Sequence, residues 1–406
     1  MTDDRLDHLH EVGRLLWPAP LEVRTGRDVD SVPVRREYLL LPSARRPRLL
    51  VPRERRPAAG AVRRYGVGRG RAARWQAAVL AAGLTTGLGP LLLRDRVRLV
   101  GPGGAPSIES HLAEVLGTDV RVSLYLGAPR ANRKPVLQVL APDGRTLAWV
   151  KVGVDPLTCR LVADEAAALT ALAATDLRLA TVPRVLHSGR WNGLELLVQS
   201  PLPVDPRRPR PGWDRVVAAQ AEVAGIGAVA GQPLAATAYW TTLRDRTDRL
   251  PAGPAADELR ALTARVAEDC GDVPVTVGAW HGDWTPWNTA SGGDRQGGAL
   301  LVWDWERFGS AVPTGYDTLH WRLQSDLVNS LADPAASARR CLETAPATLA
   351  PLGLTAEAAR ATAVGYLTEL ATRYVTDRQA EAGARLGDVG TWLLPVVGEA
   401  VGPGGR

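Results

Sequence analysis

Short apolar runs separated by turn residues dominate residues 120–200. Proline, glycine and aspartate interrupt these runs, as in the turn Pro142-Asp143-Gly144. This pattern is typical of β-strands, whereas the Ala- and Leu-rich stretch 160–174 has the periodicity of a helix. The predicted strands are 120–126, 135–140, 146–152, 182–187 and 194–198. We therefore expect a five-stranded antiparallel sheet with one helix.

The pattern changes to helical periodicity after Pro201. Alanine, leucine and arginine recur at spacings of three and four residues, which place apolar side chains on one helix face. The predicted helices are 213–230, 235–249, 255–269, 315–331, 335–350 and 355–382. A sheet-rich part followed by a helical part predicts an α+β protein with two lobes.

Residues 1–105 precede this plan and show a mixed pattern of their own. Apolar runs that end at prolines predict strands at 37–41 and 48–51, and an apolar stretch at 91–100 predicts a third. An Ala- and Arg-rich stretch over 58–82 predicts a helix between them. This part is therefore expected to be a small α+β unit.

A break in the pattern follows at residues 101–106, where Gly-Pro-Gly-Gly-Ala-Pro interrupts any regular element. Directly after it, Ser107 is a candidate N-cap and Gly117 a candidate stop for a short helix. The expected domains are a basic α+β unit over 1–105, a sheet-rich lobe over 106–200 and a helical lobe over 201–400.

The composition is that of a soluble globular protein, with 45% hydrophobic and 23% charged residues, which excludes a fibrous or disordered chain. Cys159, Cys270 and Cys341 are far apart and lack a C-x-x-C spacing, which argues against a disulfide framework and a zinc site. The first residues lack the basic and apolar regions of a signal peptide. We expect a cytoplasmic protein.

The basic residues are unevenly distributed, because residues 1–105 carry 20 Arg against ten Asp or Glu. The remaining 301 residues carry a net charge of −4. Such an excess can attract an anionic partner. Few aromatic residues interleave with the arginines, so nucleic acid is not the expected partner. Glycines and Pro90 interrupt the uncharged stretch 75–93, so a membrane is not expected either.

Candidate chemistry is concentrated in His281-Gly-Asp-Trp-Thr-Pro-Trp-Asn288 and Leu301-Val-Trp-Asp-Trp-Glu306. Phosphoryl transfer needs a carboxylate that orients and accepts the proton of the attacking hydroxyl, and oxygen ligands for Mg²⁺. Asp283 can be that base. Asn288, five residues later in one tight loop, and Asp304, at the end of an apolar strand, can hold the metal ion. Glu306 could add a ligand or have a structural role.

A lysine and a glutamate in the sheet-rich part complete this chemistry. Lys151 ends the third predicted strand, where an ammonium group can reach nucleotide phosphates while pairing with a carboxylate on the next helix. Glu165 is the candidate partner, because it shares one helical face with Leu169 and Leu172. Lys151 is one of two lysines in the chain, the other being Lys134.

Together these motifs resemble the aminoglycoside phosphotransferase and choline kinase family, which has a protein-kinase-like fold. The loop 281–288 is similar to its H-G-D-x-x-x-x-N signature, and Asp304-Trp305-Glu306 is similar to its metal-binding segment. The resemblance implies ATP or GTP and Mg²⁺ as cofactors and a small-molecule hydroxyl as acceptor. It also implies site roles for residues outside the two motifs. These are Asp317 and His281 in support of the loop, Gly127 and Asn132 in a nucleotide-covering loop, and Gln199 and Ser200 beside the nucleobase.

The acceptor stays open at this point. An amino sugar, an aminoglycoside or another sugar is the first expectation from the resemblance. Kinases that phosphorylate Ser or Thr of a peptide in natural-product biosynthesis are a second, in which the basic unit could dock an acidic leader. A binding protein without catalysis is a third, against which the intact motif residues argue.

Overall fold

The computed structural model describes residues 4–25, 33–66, 71–87, 89, 93–127, 131–293, 298–329 and 333–402. The chain divides into two compact units. Unit 1 comprises residues 1–129, 133–166 and 183–202, and unit 2 comprises 130–132, 167–182 and 203–406. Each is described by itself below.

A nine-stranded antiparallel sheet is the main feature of unit 1. Its strands are β1 (Glu22–Thr25), β2 (Val34–Leu41), β3 (Leu49–Pro52), β4 (Arg96–Val100), β5 (Arg121–Tyr125), β6 (Val136–Leu140), β7 (Thr146–Gly153), β9 (Val185–Trp191) and β10 (Leu194–Gln199). They are arranged in the order β1-β4-β2-β3-β5-β6-β7-β10-β9.

The sheet is longer than the five strands expected from the sequence. Those five correspond to β5, β6, β7, β10 and β9, which are neighbours in this order. The pairs Leu49 with Tyr125 and Leu50 with Leu124 join β3 to β5, so the strands of residues 1–105 continue the same sheet. Apolar runs predict strands but not which strands pair with one another, so the sequence did not predict the pairing of β3 with β5.

Helices cover both faces of this sheet. They are α1 (Asp4–Leu16), α2 (Arg55–Tyr65), α3 (Arg71–Thr86), α4 (Ile108–Leu116) and α5 (Pro156–Leu172), the last of which crosses into unit 2 after Ala166. The single helix expected over 58–82 is two helices, because α2 ends with Gly66 as its C-cap. Helix α4 has the predicted ends: Ser107 is the N-cap, and Gly117 follows with a φ of 64°.

Alternation along the strands of unit 1 produces two buried faces. Leu40 and Leu50 pack with Leu9 of α1 and Leu112 of α4 on one face. On the other face, Leu39, Leu41 and Val51 pack with Ala58 and Val62 of α2 and Leu84 of α3. Successive strand residues point to opposite faces, so one apolar run supplies both layers.

Unit 2 is mainly helical and includes two small sheets. Its helices are α6 (Trp213–Ala224), α7 (Ala238–Asp248), α8 (Pro254–Cys270), α9 (Tyr316–Asn329), α10 (Pro334–Leu349), α11 (Ala356–Thr376) and α12 (Leu394–Ala400). One sheet contains β11 (Val229–Pro233), β12 (Pro274–Trp280) and β15 (Gly309–Pro313), and the other contains β13 (Thr289–Ser291), β14 (Leu300–Val302) and β8 (Ala180–Thr181). No helix in the described ranges is both long and apolar enough to cross a membrane.

Candidate active site

The loop that follows β12 is fixed through its backbone. Asp317, the second residue of α9, accepts the His281 N–H at 2.7 Å on Oδ2 and the Gly282 N–H at 3.0 Å on Oδ1. The buried guanidinium of Arg373, on α11, donates to the Gly282 carbonyl at 2.6 Å. Two helices therefore hold the two residues that precede Asp283.

His281 lies inside this loop and has no access to solvent. Its Nδ1 accepts the Asp283 N–H at 3.0 Å, which leaves the proton on Nε2 for the Trp303 carbonyl at 3.1 Å. Burial lowers the pKa of His281 to about 4, so the ring is neutral at pH 7 and matches this assignment. His281 thus braces the loop and does not face a substrate.

Asp283 presents a carboxylate that is held on both oxygens. Asn288 Nδ2 donates to Oδ2 at 3.0 Å, and His320 Nε2 lies 2.9 Å from Oδ1. The Asp283 side chain is nevertheless 35% exposed. Burial raises the pKa of Asp283, but hydrogen bonding and charge from His320, together with Arg373, lower it further, so its pKa is below the ordinary value. Asp283 therefore presents a partly exposed carboxylate that is ionised at neutral pH.

Asp317 has the opposite electrostatics. Burial raises its pKa to about 7, with a further upward contribution from the charge of Asp283, although the two backbone N–H groups act to lower it. A carboxylate buried among backbone donors serves as an anchor for them. Asp317 thus binds the backbone of the loop at His281 and Gly282.

The short sheet of β13 and β14 brings Asn288 and Asp304 together. Thr289 is paired with Val302, and Trp303 donates its N–H to the Asn288 carbonyl at 3.1 Å. Asp304 follows with a φ of +76°, a left-handed conformation that aspartate tolerates better than most residues and that is common at functional sites.

The oxygens at this point suit a hard cation. Asn288 commits its Nδ2 to Asp283, so its amide Oδ1 points away from that carboxylate. An amide oxygen and a carboxylate are the donor chemistry that Mg²⁺ prefers. Glu306 is buried, and one of its carboxylate oxygens, Oε1, lies 3.4 Å from Asn132 Nδ2.

In unit 1, Lys151 and Glu165 form a buried ion pair. Lys151 lies in β7 and Glu165 lies in α5, and Lys151 Nζ is 2.5 Å from Glu165 Oε2. Lys151 is 6% exposed and Glu165 is fully buried. Breaking such a pair on one side leaves an uncompensated buried charge, so each side chain fixes the other.

The remaining predicted residues have less distinctive surroundings. Gly127 follows β5, and a Cβ there would meet no atom within 4 Å; the expected loop continues into residues 128–130, which lie outside the described ones. Gln199 ends β10 with its Oε1 buried and without a hydrogen-bond partner among the described residues. Both the N–H and the Oγ of Ser200 already bond to the Arg184 backbone, at 2.8 and 2.9 Å.

Sequence reasoning missed three side chains at Asp283: His320, Tyr366 and Arg373. His320 lies three residues after Asp317 and so shares its helix face, which was a usable signal. Tyr366 and Arg373 are seven residues apart on α11, and nothing local in the sequence links them to the loop.

No protein-family model and no curated protein matches this chain. Among solved structures, LicA in complex with AMP has a TM-score of 0.44 at 15% identity, covering 72% of this chain and 96% of that one. APH(3'')-Id from Streptomyces rimosus, solved with ADP and streptomycin, has a TM-score of 0.37 at 18% identity, and the match covers 59% of this chain and 90% of that one. APH(2")-IIia, solved with GDP and kanamycin, has a TM-score of 0.40 at 13% identity, and the match covers 66% of this chain and 89% of that one. The chain is therefore similar to solved aminoglycoside phosphotransferases, the family that its motifs resemble.

Proposed function

We propose that this protein is a Mg²⁺-dependent phosphotransferase that moves the γ-phosphoryl group of ATP or GTP to a hydroxyl of a small molecule. Because the TM-scores above are below 0.5, the proposal rests on the site of this chain. The observation that carries it is the carboxylate of Asp283, which is partly exposed, ionised and held on both oxygens.

The proposed reaction uses Asp283 as the base. The acceptor oxygen attacks the γ-phosphorus, the bond from that phosphorus to the bridging oxygen breaks, and the nucleoside diphosphate leaves. The acceptor proton passes to the Asp283 carboxylate. Because the pKa of Asp283 is below its ordinary value, its main contribution is to orient the hydroxyl, and it takes the proton as the new bond forms.

Asn288 Oδ1 and the Asp304 carboxylate would hold the metal ion. When bound, Mg²⁺ neutralises charge on the nucleotide phosphates. Lys151, kept in place by Glu165, is assigned to nucleotide phosphate, because an ammonium group carries three N–H donors that suit phosphate oxygens.

The acceptor proposed first is an amino sugar, an aminoglycoside or another sugar. Trp287, which precedes Asn288, is 44% exposed and offers a flat apolar surface next to the loop. Trp305 is fully buried and packs against His281 and Trp284, so it serves the core. An exposed ring in the loop that carries the proposed base suits a sugar better than a small linear alcohol.

The test is transfer of labelled γ-phosphate from ATP and from GTP in the presence of Mg²⁺. The acceptors are amino sugars, aminoglycosides, neutral sugars and Ser- or Thr-containing peptides, and Asp283→Asn is run beside the parent. The proposal expects transfer to a sugar that Asp283→Asn loses. Transfer only to a peptide would show that the acceptor is a peptide and not a sugar. Absence of transfer together with absence of Mg²⁺-dependent nucleotide binding would overturn the proposal in favour of a binding protein.

A further inference from the structure

We propose that His320 and Tyr366 are positioning residues for Asp283, linked to it by a buried hydrogen-bond chain that runs from the Tyr366 hydroxyl through the imidazole to Oδ1. The inference rests on the proposed function, because it assigns a task to groups behind the proposed base. All three residues belong to unit 2.

The geometry of the chain is direct. His320 Nε2 lies 2.9 Å from Asp283 Oδ1, and His320 Nδ1 lies 2.9 Å from the Tyr366 hydroxyl. His320 and Tyr366 are each 1% exposed, whereas Asp283 is 35% exposed. The imidazole therefore uses both nitrogens, and the chain reaches substrate only at its Asp283 end.

The proton positions follow from the surroundings of each group. Burial raises the pKa of Tyr366 well above its ordinary value, so the hydroxyl keeps its proton. Burial lowers the pKa of His320 despite its bond to Asp283, and the positive charge of Arg373 acts in the same direction as burial. A neutral imidazole with two polar contacts must accept on one nitrogen and donate from the other. Tyr366 therefore donates to Nδ1, and His320 donates from Nε2 to Asp283.

This arrangement fixes the direction of the base. With Asn288 on Oδ2 and His320 on Oδ1, the carboxylate cannot rotate about its χ2 bond without losing a hydrogen bond. Because His320 is a neutral donor, it orients the Asp283 carboxylate without neutralising its negative charge, whereas an arginine at the same position would neutralise that charge. The Asp283 side chain is 35% exposed, so an acceptor hydroxyl can meet the lone pairs that remain.

A purely structural role makes a different prediction. The bond from His320 to Tyr366 joins α9 to α11, so its loss would lower stability whatever the activity. A structural role predicts a lower melting temperature with unchanged kcat in the protein that remains folded. A positioning role predicts a fall in kcat with unchanged nucleotide affinity, because Asp283 does not hold the nucleotide.

The experiment compares His320→Leu, His320→Gln and Tyr366→Phe with the parent, measuring kcat for phosphate transfer, Mg²⁺-nucleotide affinity and melting temperature. Glutamine can place an amide N–H near the position of Nε2. We expect His320→Leu to lower kcat by roughly 10- to 100-fold, consistent with misplacement of a reacting group, while nucleotide Kd changes less than about twofold. The kcat of His320→Gln should be close to that of the parent, and the kcat of Tyr366→Phe should lie between those of His320→Leu and His320→Gln.

Tyr316→Phe is the matched control. Tyr316 is a buried tyrosine of α9 whose ring packs 5.7 Å from that of Tyr366, but its hydroxyl lies outside the chain to Asp283. Its kcat should match the parent. An unchanged kcat in folded His320→Leu, or an equal loss in His320→Leu and His320→Gln, would overturn the positioning role.

A second measurement does not depend on any acceptor. In protein with ¹⁵N-labelled histidine, the chain predicts that His320 carries its proton on Nε2 at neutral pH and that Tyr366→Phe shifts the Nδ1 resonance. A proton on Nδ1 would overturn the chain. If the parent transfers no phosphate but the spectrum is as expected, the proposed function fails while the hydrogen-bond chain stands.

Discussion

Asp283 and Asp304 are two carboxylates of one site with different partners. Asp283 is held by Asn288 and His320, whereas Asp304 follows β14 in a left-handed conformation. The difference predicts different losses on substitution by asparagine, which keeps the side-chain size and removes the charge.

We expect Asp283→Asn to retain Mg²⁺-nucleotide binding and to lose about 10²- to 10⁴-fold in turnover, the usual contribution of a positioned general base. Asp304→Asn should weaken metal-dependent nucleotide binding and turnover together, since it removes charge from a hard-cation site. Calorimetric titration with a non-hydrolysable nucleotide, beside transfer rates, measures both. Asp272→Asn, at an exposed carboxylate outside the loop, is the control. Parent-like transfer by Asp283→Asn would contradict its assignment as base.

His281 predicts a pH dependence of stability. Its pKa is about 4 in the folded protein and about 6.5 when unfolded. Between pH 6.5 and pH 4, His281 is protonated in the unfolded chain but neutral in the folded chain. The contribution of His281 to the stability of the fold is therefore present above pH 6.5 and is lost as the pH falls toward 4. The stability advantage of the parent over the non-titrating His281→Gln should shrink by up to roughly 3 kcal/mol across this range.

Denaturant unfolding of both proteins between pH 4 and 7.5 measures this difference. The comparison with the variant is needed because the raised pKa of Asp317 acts oppositely: its contribution is present at low pH and lost as the pH rises through about 7. A difference between parent and variant that stays constant with pH would contradict the buried neutral state of His281.

At the scale of elements, the turn between β12 and Asp283 depends on Gly282. Its φ is +82°, and a Cβ there would lie 2.4 Å from the carbonyl oxygen of Arg307 and 2.6 Å from its Cβ. Gly193, in the hairpin between β9 and β10, has a similar φ of +78° but no atom within 4 Å of such a Cβ. Substitution by alanine at Gly193 therefore introduces backbone strain alone, whereas substitution at Gly282 introduces both backbone strain and a steric clash.

Gly193→Ala should lose about 1 to 2 kcal/mol of stability from the left-handed backbone alone. Gly282→Ala should lose more than about 3 kcal/mol, because the clash adds to the strain, and it should also lower turnover by displacing Asp283. Urea unfolding and transfer rates measure these effects. Equal losses of stability in the two variants would show that the contact with Arg307 adjusts without cost.

Elements were predictable where the pattern is local. Helix α4 begins and ends at the residues that its cap signals indicate, and β7 places Lys151 on the strand where the apolar run put it. The helix expected over 58–82 became α2 and α3. Polar and charged residues interrupt the apolar positions of α1, and only its packing on the sheet through Leu9 and Leu16 shows which face is buried.

At the scale of the molecule, the strands of residues 1–105 share both sheet and core with those that follow. Removing them would expose the edge of β5 and the apolar surface that Tyr38, Leu40 and Leu50 cover. We expect a chain that begins at residue 106 to aggregate, because an unprotected, apolar strand edge promotes association. Co-expression with a fragment of residues 1–105 should restore solubility.

Size-exclusion chromatography and nucleotide binding of the truncated chain, alone and co-expressed, measure this effect. A truncated chain that is soluble, monomeric and able to bind nucleotide would show instead that residues 1–105 are a separable domain with the boundary that the sequence suggests.

Local patterns in the sequence predicted many of the strands and helices and the residues of the two motifs that carry the proposed chemistry. Both follow from local patterns: side-chain periodicity sets the buried face of an element, and the spacing from His281 to Asn288 sets one tight loop. Only the tertiary structure joined β3 to β5 and brought His320, Tyr366 and Arg373 behind the loop. Asp283 and His320 are 37 residues apart, and His320 and Tyr366 are 46. Contacts over such distances arise from the packing of helices and the pairing of strands, which no local pattern specifies.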